Sequence, residues 1–123
     1  MSHGAIEWID ISALDTNAIA KFYASVFGWK IQHDARFDDY PMFTDAEGKI
    51  GGGFWRSGRP TGDAGVMLYI TVDDIDAALT RVEAEGGASV QGKTEIHPLV
   101  GWFAVFRDPA GNGMGLFQRA RKV

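Results

Sequence analysis

Cysteine is absent from all 123 residues. That excludes a disulfide framework, a thiol nucleophile and any thiolate metal site, and it fits a reducing compartment. Long hydrophobic runs are missing too. No stretch approaches the roughly 20 apolar residues that a membrane span needs. The opening Met1-Ser2-His3-Gly4 is not a basic region followed by an apolar run, so no signal peptide is read there. These features predict a cytoplasmic protein with no membrane partner. Positive charge is also scarce: 12 Lys and Arg stand against 16 Asp and Glu, a net charge of −4. A broad basic surface for nucleic acid is therefore not expected. The single basic cluster, Arg119, Arg121 and Lys122, reads as a solvated tail.

What is present is a globular composition, 46% apolar and 23% charged. The length suits one compact domain with a real core, residues 1–123. Within it an order of elements occurs twice. In the first half, Ile6 to Ser12 alternates, with Ile9 and Ile11 on one side of a strand and Trp8 and Asp10 on the other. Asp15 stands where a helix N-cap belongs. Ala18, Ile19, Phe22, Tyr23, Val26 and Phe27 then form one amphipathic stripe, and Gly28 ends it. In the second half, Val66 to Val72 reads as a strand and Asp73 or Asp74 as the cap. Ile75, Ala78, Leu79 and Val82 form the stripe, and Gly86-Gly87 the stop. Asp15 to Asp74 and Gly28 to Gly87 share an offset of 59 residues, near half the chain.

Three strands are expected after each helix, at about 29–36, 40–45 and 49–57, and again at about 88–95, 101–107 and 112–118. Asp45 to Gly48 and Asp108 to Asn112 are turn sequences joining the last two of each set. The reading is an α+β fold of two tandem βαβββ modules, about 5–57 and 66–118. Amphipathic helices cover one face of each strand set. The other faces are expected to form a cupped, open mixed sheet that holds a ligand.

Three segments carry a family likeness: Ala20 to Trp29, Val72 to Ala78, and Phe106 to Leu116 with its Asp-Pro-Ala-Gly-Asn turn. In order and at these distances they resemble the vicinal oxygen chelate superfamily of glyoxalases, bleomycin-resistance proteins and extradiol dioxygenases. The resemblance implies a divalent metal in the cup, bound by His and Glu at four strand positions. Here those positions map to Trp8, Gly53, Met67 and Gly115. None supplies an imidazole nitrogen or a carboxylate oxygen. No metal and no cofactor are therefore expected, and the family's metal-dependent activities are disfavoured.

Alternation from those positions predicts the ligand-facing set: Trp8, Asp10, Gly53, Trp55, Met67, Tyr69, Gly115 and Phe117, joined by Trp102 from the neighbouring strand. The glycines are expected to widen the cup. Such a wall suits a flat or apolar small molecule, with Tyr69 and Asp10 as polar anchors. Asp10 and Tyr69 are also the candidates for proton handling if a reaction occurs. The bland alternative is that these side chains merely fill the cup. His33 and His97, with Asp34 or Glu95, lack a ligand spacing and read as surface groups. Gly51-Gly52-Gly53 is followed by Phe54-Trp55 rather than Lys-Ser/Thr, so it reads as a bendable strand rather than a phosphate loop.

The leading expectation is a metal-free protein that binds a small molecule. The alternative is an enzyme of the same superfamily, metal-free or with unusual metal ligands. A homodimer is expected as well, on the resemblance and on apolar surface at Phe54, Phe103, Val105 and Trp29 that two short helices would leave uncovered.

Overall fold

The computed structural model describes residues 3–60 and 65–121. The chain divides into two compact units, Met1–Arg59 and Pro60–Val123. Each contains one helix and one four-stranded mixed sheet.

In the first unit, strand β1 (Trp8–Ala13) leads into helix α1 (Thr16–Phe27), followed by β2 (Lys30–Gln32), β3 (Met42–Thr44) and β4 (Gly51–Arg56). Asp15 caps α1, its carboxylate accepting from the Ala18 N–H at 2.9 Å. Gly28 closes the helix at φ +72°, a left-handed conformation in which a side chain would be strained. The sheet order is β1-β4-β3-β2, with β1 and β4 parallel and the other pairs antiparallel. Ile11 and Phe54 are buried opposite one another in the β1–β4 ladder. Tyr23 of α1 stacks on Phe54 and on Trp29, ring centroids 5.8 and 4.6 Å apart, and Trp29 stacks on Phe43 at 4.5 Å. This aromatic core encloses Phe54 completely and takes in Trp29. Phe54 contributes none of the spare apolar surface expected of it, whereas Trp29 stays partly exposed.

The second unit repeats the plan: β5 (Tyr69–Thr71), α2 (Ile75–Ala84), β6 (Ala88–His97), β7 (Gly101–Arg107) and β8 (Gly113–Arg119), in sheet order β5-β8-β7-β6. Asp74 is the cap, accepting from the Ala77 N–H. Gly86, rather than Gly87, takes the positive φ of +98° behind α2. Gly87 instead sits where a Cβ would come within 2.7 Å of the Arg107 carbonyl and Val82. Ile75, Leu79 and Val82 pack with Ala104, Phe106, Met114 and Leu116 to form the core. The Asp108 to Asn112 turn is closed by a buried carboxylate. Asp108 accepts from the Ala110 and Asn112 backbone N–H groups and from the Asn112 side-chain amide. β5 is shorter than the expected Val66 to Val72 strand. The ladder nevertheless continues past both ends, from Gly115 N to Leu68 O and from Val72 N to Phe117 O. Met67 lies outside it, in the segment leading into β5.

Candidate functional site

Each sheet has one face against its helix and one face turned away, and the register decides which residues share the second face. In the first unit, Trp8 pairs with Gly51, Asp10 with Gly53 and Ser12 with Trp55. Trp8, Asp10, Gly53 and Trp55 are thus on one side, while Ile9, Ile11, Gly52 and Phe54 are on the other. Exposure follows the same division: Trp8 and Trp55 are about half exposed, at 50% and 47%, whereas Ile11 and Phe54 are buried.

A residue that sequence periodicity did not single out completes this face. Tyr40, from the loop between β2 and β3, lays its ring directly on Gly53. A Cβ there would sit 2.2 Å from Tyr40 Cζ. The expected widening at Gly53 is therefore corrected: the glycine makes room for Tyr40, not for a ligand. The Tyr40 hydroxyl donates to Asp10 Oδ1 at 2.5 Å and accepts from Trp8 Nε1 at 2.8 Å. Trp8 Nε1 also lies 3.3 Å from Asp10 Oδ1. Burial raises the Tyr40 pKa above its usual value. The hydrogen bond and charge of Asp10 push it the same way, and the Trp8 donor opposes them. The phenol is held neutral, as a donor to Asp10.

The loop carrying Tyr40 is itself fixed. Asp39 adopts φ +56°, the one non-glycine positive φ among the described residues. Its carboxylate accepts from the buried Thr16 hydroxyl at 2.6 Å and faces Arg56 at 3.6 Å. Asp39 thus ties the loop to the start of α1. Pro41 O then accepts from Phe54 N–H at 2.9 Å, so both sides of Tyr40 are anchored.

The second unit carries an apolar hollow of about 380 Å³ lined by Tyr69, Thr71, Ile96, Phe103 and Phe117. Thr71 and Phe117 are register partners, and Phe117 is also opposite Phe103. Trp102 does not join them. It pairs with Gln118, whose side-chain oxygen accepts from the Ile75 N–H at the start of α2. That puts Trp102 on the helix side, where Lys93 Nζ lies 4.6 Å from its ring centroid. Phe103, which sequence reasoning assigned to a dimer surface, occupies the place given to Trp102. Gly115 repeats the behaviour of Gly53. A Cβ there would meet the Tyr69 ring at 2.4 Å, so Tyr69 covers the glycine instead of leaving it open.

The residues at the four positions that the family resemblance implies for metal ligands do not suit a divalent metal. In the first unit these are an indole and a glycine under Tyr40, and in the second a thioether and a glycine under Tyr69. Among the described residues, no group of three or more His, Cys, Asp or Glu is placed to hold a metal ion. Asp34 is bound by Arg36, with a bond of 2.7 Å that lowers the carboxyl pKa, and His97 Nδ1 accepts from the Leu99 N–H at 3.0 Å. No helix among the described residues is long and apolar enough to cross a membrane.

Comparison with known proteins agrees with this architecture. The family model for a glyoxalase-like domain matches residues 8–117. A glyoxylase-like domain-containing protein of Didymella fabae is 33% identical over 126 residues, covering 98% of each chain. A glyoxalase/bleomycin resistance protein/dioxygenase family enzyme from Burkholderia phytofirmans PsJN superposes with a TM-score of 0.76 at 21% identity. The match covers 92% of this chain and 97% of that one. TnmS3, an antibiotic binding protein from Streptomyces sp. CB03234, superposes with a TM-score of 0.74 at 21% identity, covering 98% and 99%.

Proposed function

Because this chain belongs to the glyoxalase-like domain family, we propose that it is a metal-free member that binds a small aromatic or apolar molecule. The observation that carries the reading is the hollow of about 380 Å³ walled by Tyr69, Ile96, Phe103 and Phe117. It has the size and lining of a small-molecule site. The side chains at the family's ligand positions offer a divalent cation nothing to bind. An antibiotic-binding protein among the structural relatives is compatible with this reading. Homodimerisation, in which module edges from one chain help complete the cup of the other, and a cytoplasmic setting belong to the same proposal.

A second reading is an enzyme of the superfamily that uses Asp10 to move a proton. It is favoured by the Tyr40 hydroxyl and Trp8 indole converging on that carboxylate. The raised Tyr40 pKa makes the phenol itself a poor base near neutrality.

A thermal-shift screen of small aromatic compounds, followed by titration of the hits, tests the first reading. Phe117→Ala should weaken a hit by about 1–3 kcal/mol while the protein stays folded. Hits whose affinity is indifferent to both Phe117→Ala and Phe103→Ala would refute the site.

A further inference from the structure

The first unit presents a different chemistry from the apolar hollow. We infer that its open face takes the head of an organic ammonium ion carried on an aromatic or apolar body. This rests on the small-molecule reading above and adds the charge class of a ligand held by the first unit.

Three observations carry it. Asp10 is exposed, and both of its hydrogen bonds reach the same oxygen, Oδ1. Oδ2 has no partner among the described residues, and no described Lys, Arg or His pairs with this carboxylate. The nearby donors are spent within the protein. Trp8 Nε1–H goes to Tyr40 and Asp10, Tyr40 O–H to Asp10, and Ser12 O–H to the Arg59 carbonyl. Arg56 alternates to the other face of β4 and lies against Asp39. A ligand therefore meets a fixed acceptor carrying an uncompensated negative charge. Half-exposed indoles, Trp8 and Trp55, stand on the same face. Aromatic faces beside a carboxylate attract a cation through the ring quadrupole as well as the charge. The same face has little to offer a carboxylate or phosphate, which would need the donors already committed.

The test compares three molecules of one shape on the full chain at neutral pH and low salt: phenethylamine, N-acetylphenethylamine and 3-phenylpropionate. Isothermal titration calorimetry should rank the cation about tenfold or more tighter than the neutral amide, with the anion weakest. Asp10→Asn keeps shape and removes charge. It should bring the amine to within about twofold of the amide. The ligand comparison on the unaltered protein stands even if this variant folds poorly. Equal binding of amine and amide, or a preference that survives Asp10→Asn, overturns the inference and leaves the small-molecule reading standing. Binding by none of the three overturns it as well, and the separate compound screen then decides the broader reading.

Discussion

Gly52 and Gly53 are chain neighbours that face opposite sides of β4, and an added methyl at each should have different consequences. At Gly53 the nearest atoms are the far end of the Tyr40 ring, 2.2–2.7 Å from an ideal Cβ. A partly exposed side chain can swing out, so Gly53→Ala should expel Tyr40 and sacrifice its bonds to Asp10 and Trp8. Water reaches both partners, which puts each bond at the low end of its range, about 0.5–1 kcal/mol. Replacing a strand glycine returns about 0.4–1 kcal/mol by restricting the unfolded chain. The net expectation is a loss of roughly 0–1.5 kcal/mol. At Gly52 the Cβ would lie 2.0 Å from the Ile9 carbonyl oxygen and 2.5 Å from the buried Phe43 ring. Neither yields without separating β1 from β4 or opening the aromatic core, so Gly52→Ala should cost at least about 3 kcal/mol. Urea unfolding followed by circular dichroism measures both. The decisive arm is a double-mutant cycle: in a Tyr40→Ala background, Gly53→Ala should become neutral or mildly stabilising. An unchanged Gly53→Ala cost in that background, or equal costs at the two glycines, would refute the assignment of Tyr40 to the Gly53 face.

Tyr40→Phe should flatten the alkaline limb of stability. The folded-state pKa of Tyr40 is raised, so its contribution is present in full below the unfolded value near 10 and is lost as pH climbs through the folded value. Urea midpoints between pH 9 and 12 should fall more steeply for the natural protein than for the variant. Trp102→Ala should lower stability with little effect on the affinity of a ligand in the second unit's hollow, whereas Phe103→Ala should lower affinity; fluorescence titration with unfolding curves separates the two. Light scattering at tens of micromolar should give the mass of a dimer, and a monomeric mass would remove the shared-cup arrangement.

The elements were legible because their punctuation is local. Asp15, Gly28 and Asp74 announce helix ends through bonds to their own backbone neighbourhood. The period-two alternation of Trp8 to Ile11 separates the two faces of β1 without any knowledge of its partners. The errors arise where a position depends on pairing or on a loop path. Nothing in residues 101–107 states whether Trp102 or Phe103 lies opposite Phe117; the antiparallel register with β8 decides it. Tyr40 stands at the start of the expected strand 40–45, but β3 begins only at Met42, so its place over Gly53 depends on the loop path and is not legible in the sequence. The one available signal was a tyrosine shortly after paired aspartates, one of which takes a left-handed conformation. Gly53 and Gly115 look like empty space in the sequence because an absent side chain says nothing of which neighbour fills the gap.

The same device, a tyrosine over a strand glycine, appears in both units but is built with different stiffness, and the difference separates their roles. Tyr40 arrives from a loop tied down at Asp39 and Pro41, and its hydroxyl is bonded on both sides. Tyr69 is the direct register partner of Gly115, and its hydroxyl has no partner among the described residues. Tyr69 is 55% exposed and its side chain borders the hollow. Tyr69→Phe should therefore change stability by less than about 0.5 kcal/mol, the usual range for an exposed change that removes no bond. Gly115→Ala is the informative perturbation. An ideal Cβ there lies 2.4 Å from Tyr69 Cδ1 and 3.0 Å from Cγ, near the root of the ring, so the whole ring must turn away rather than its tip. That rotation alters one wall of the hollow. The expected result is a changed ligand affinity with a stability loss of about 1–3 kcal/mol from overpacking, read by titration and unfolding of the same preparation. Unaltered affinity together with an unmoved Tyr69 ring in a crystal structure of the variant would show that the ring does not form that wall.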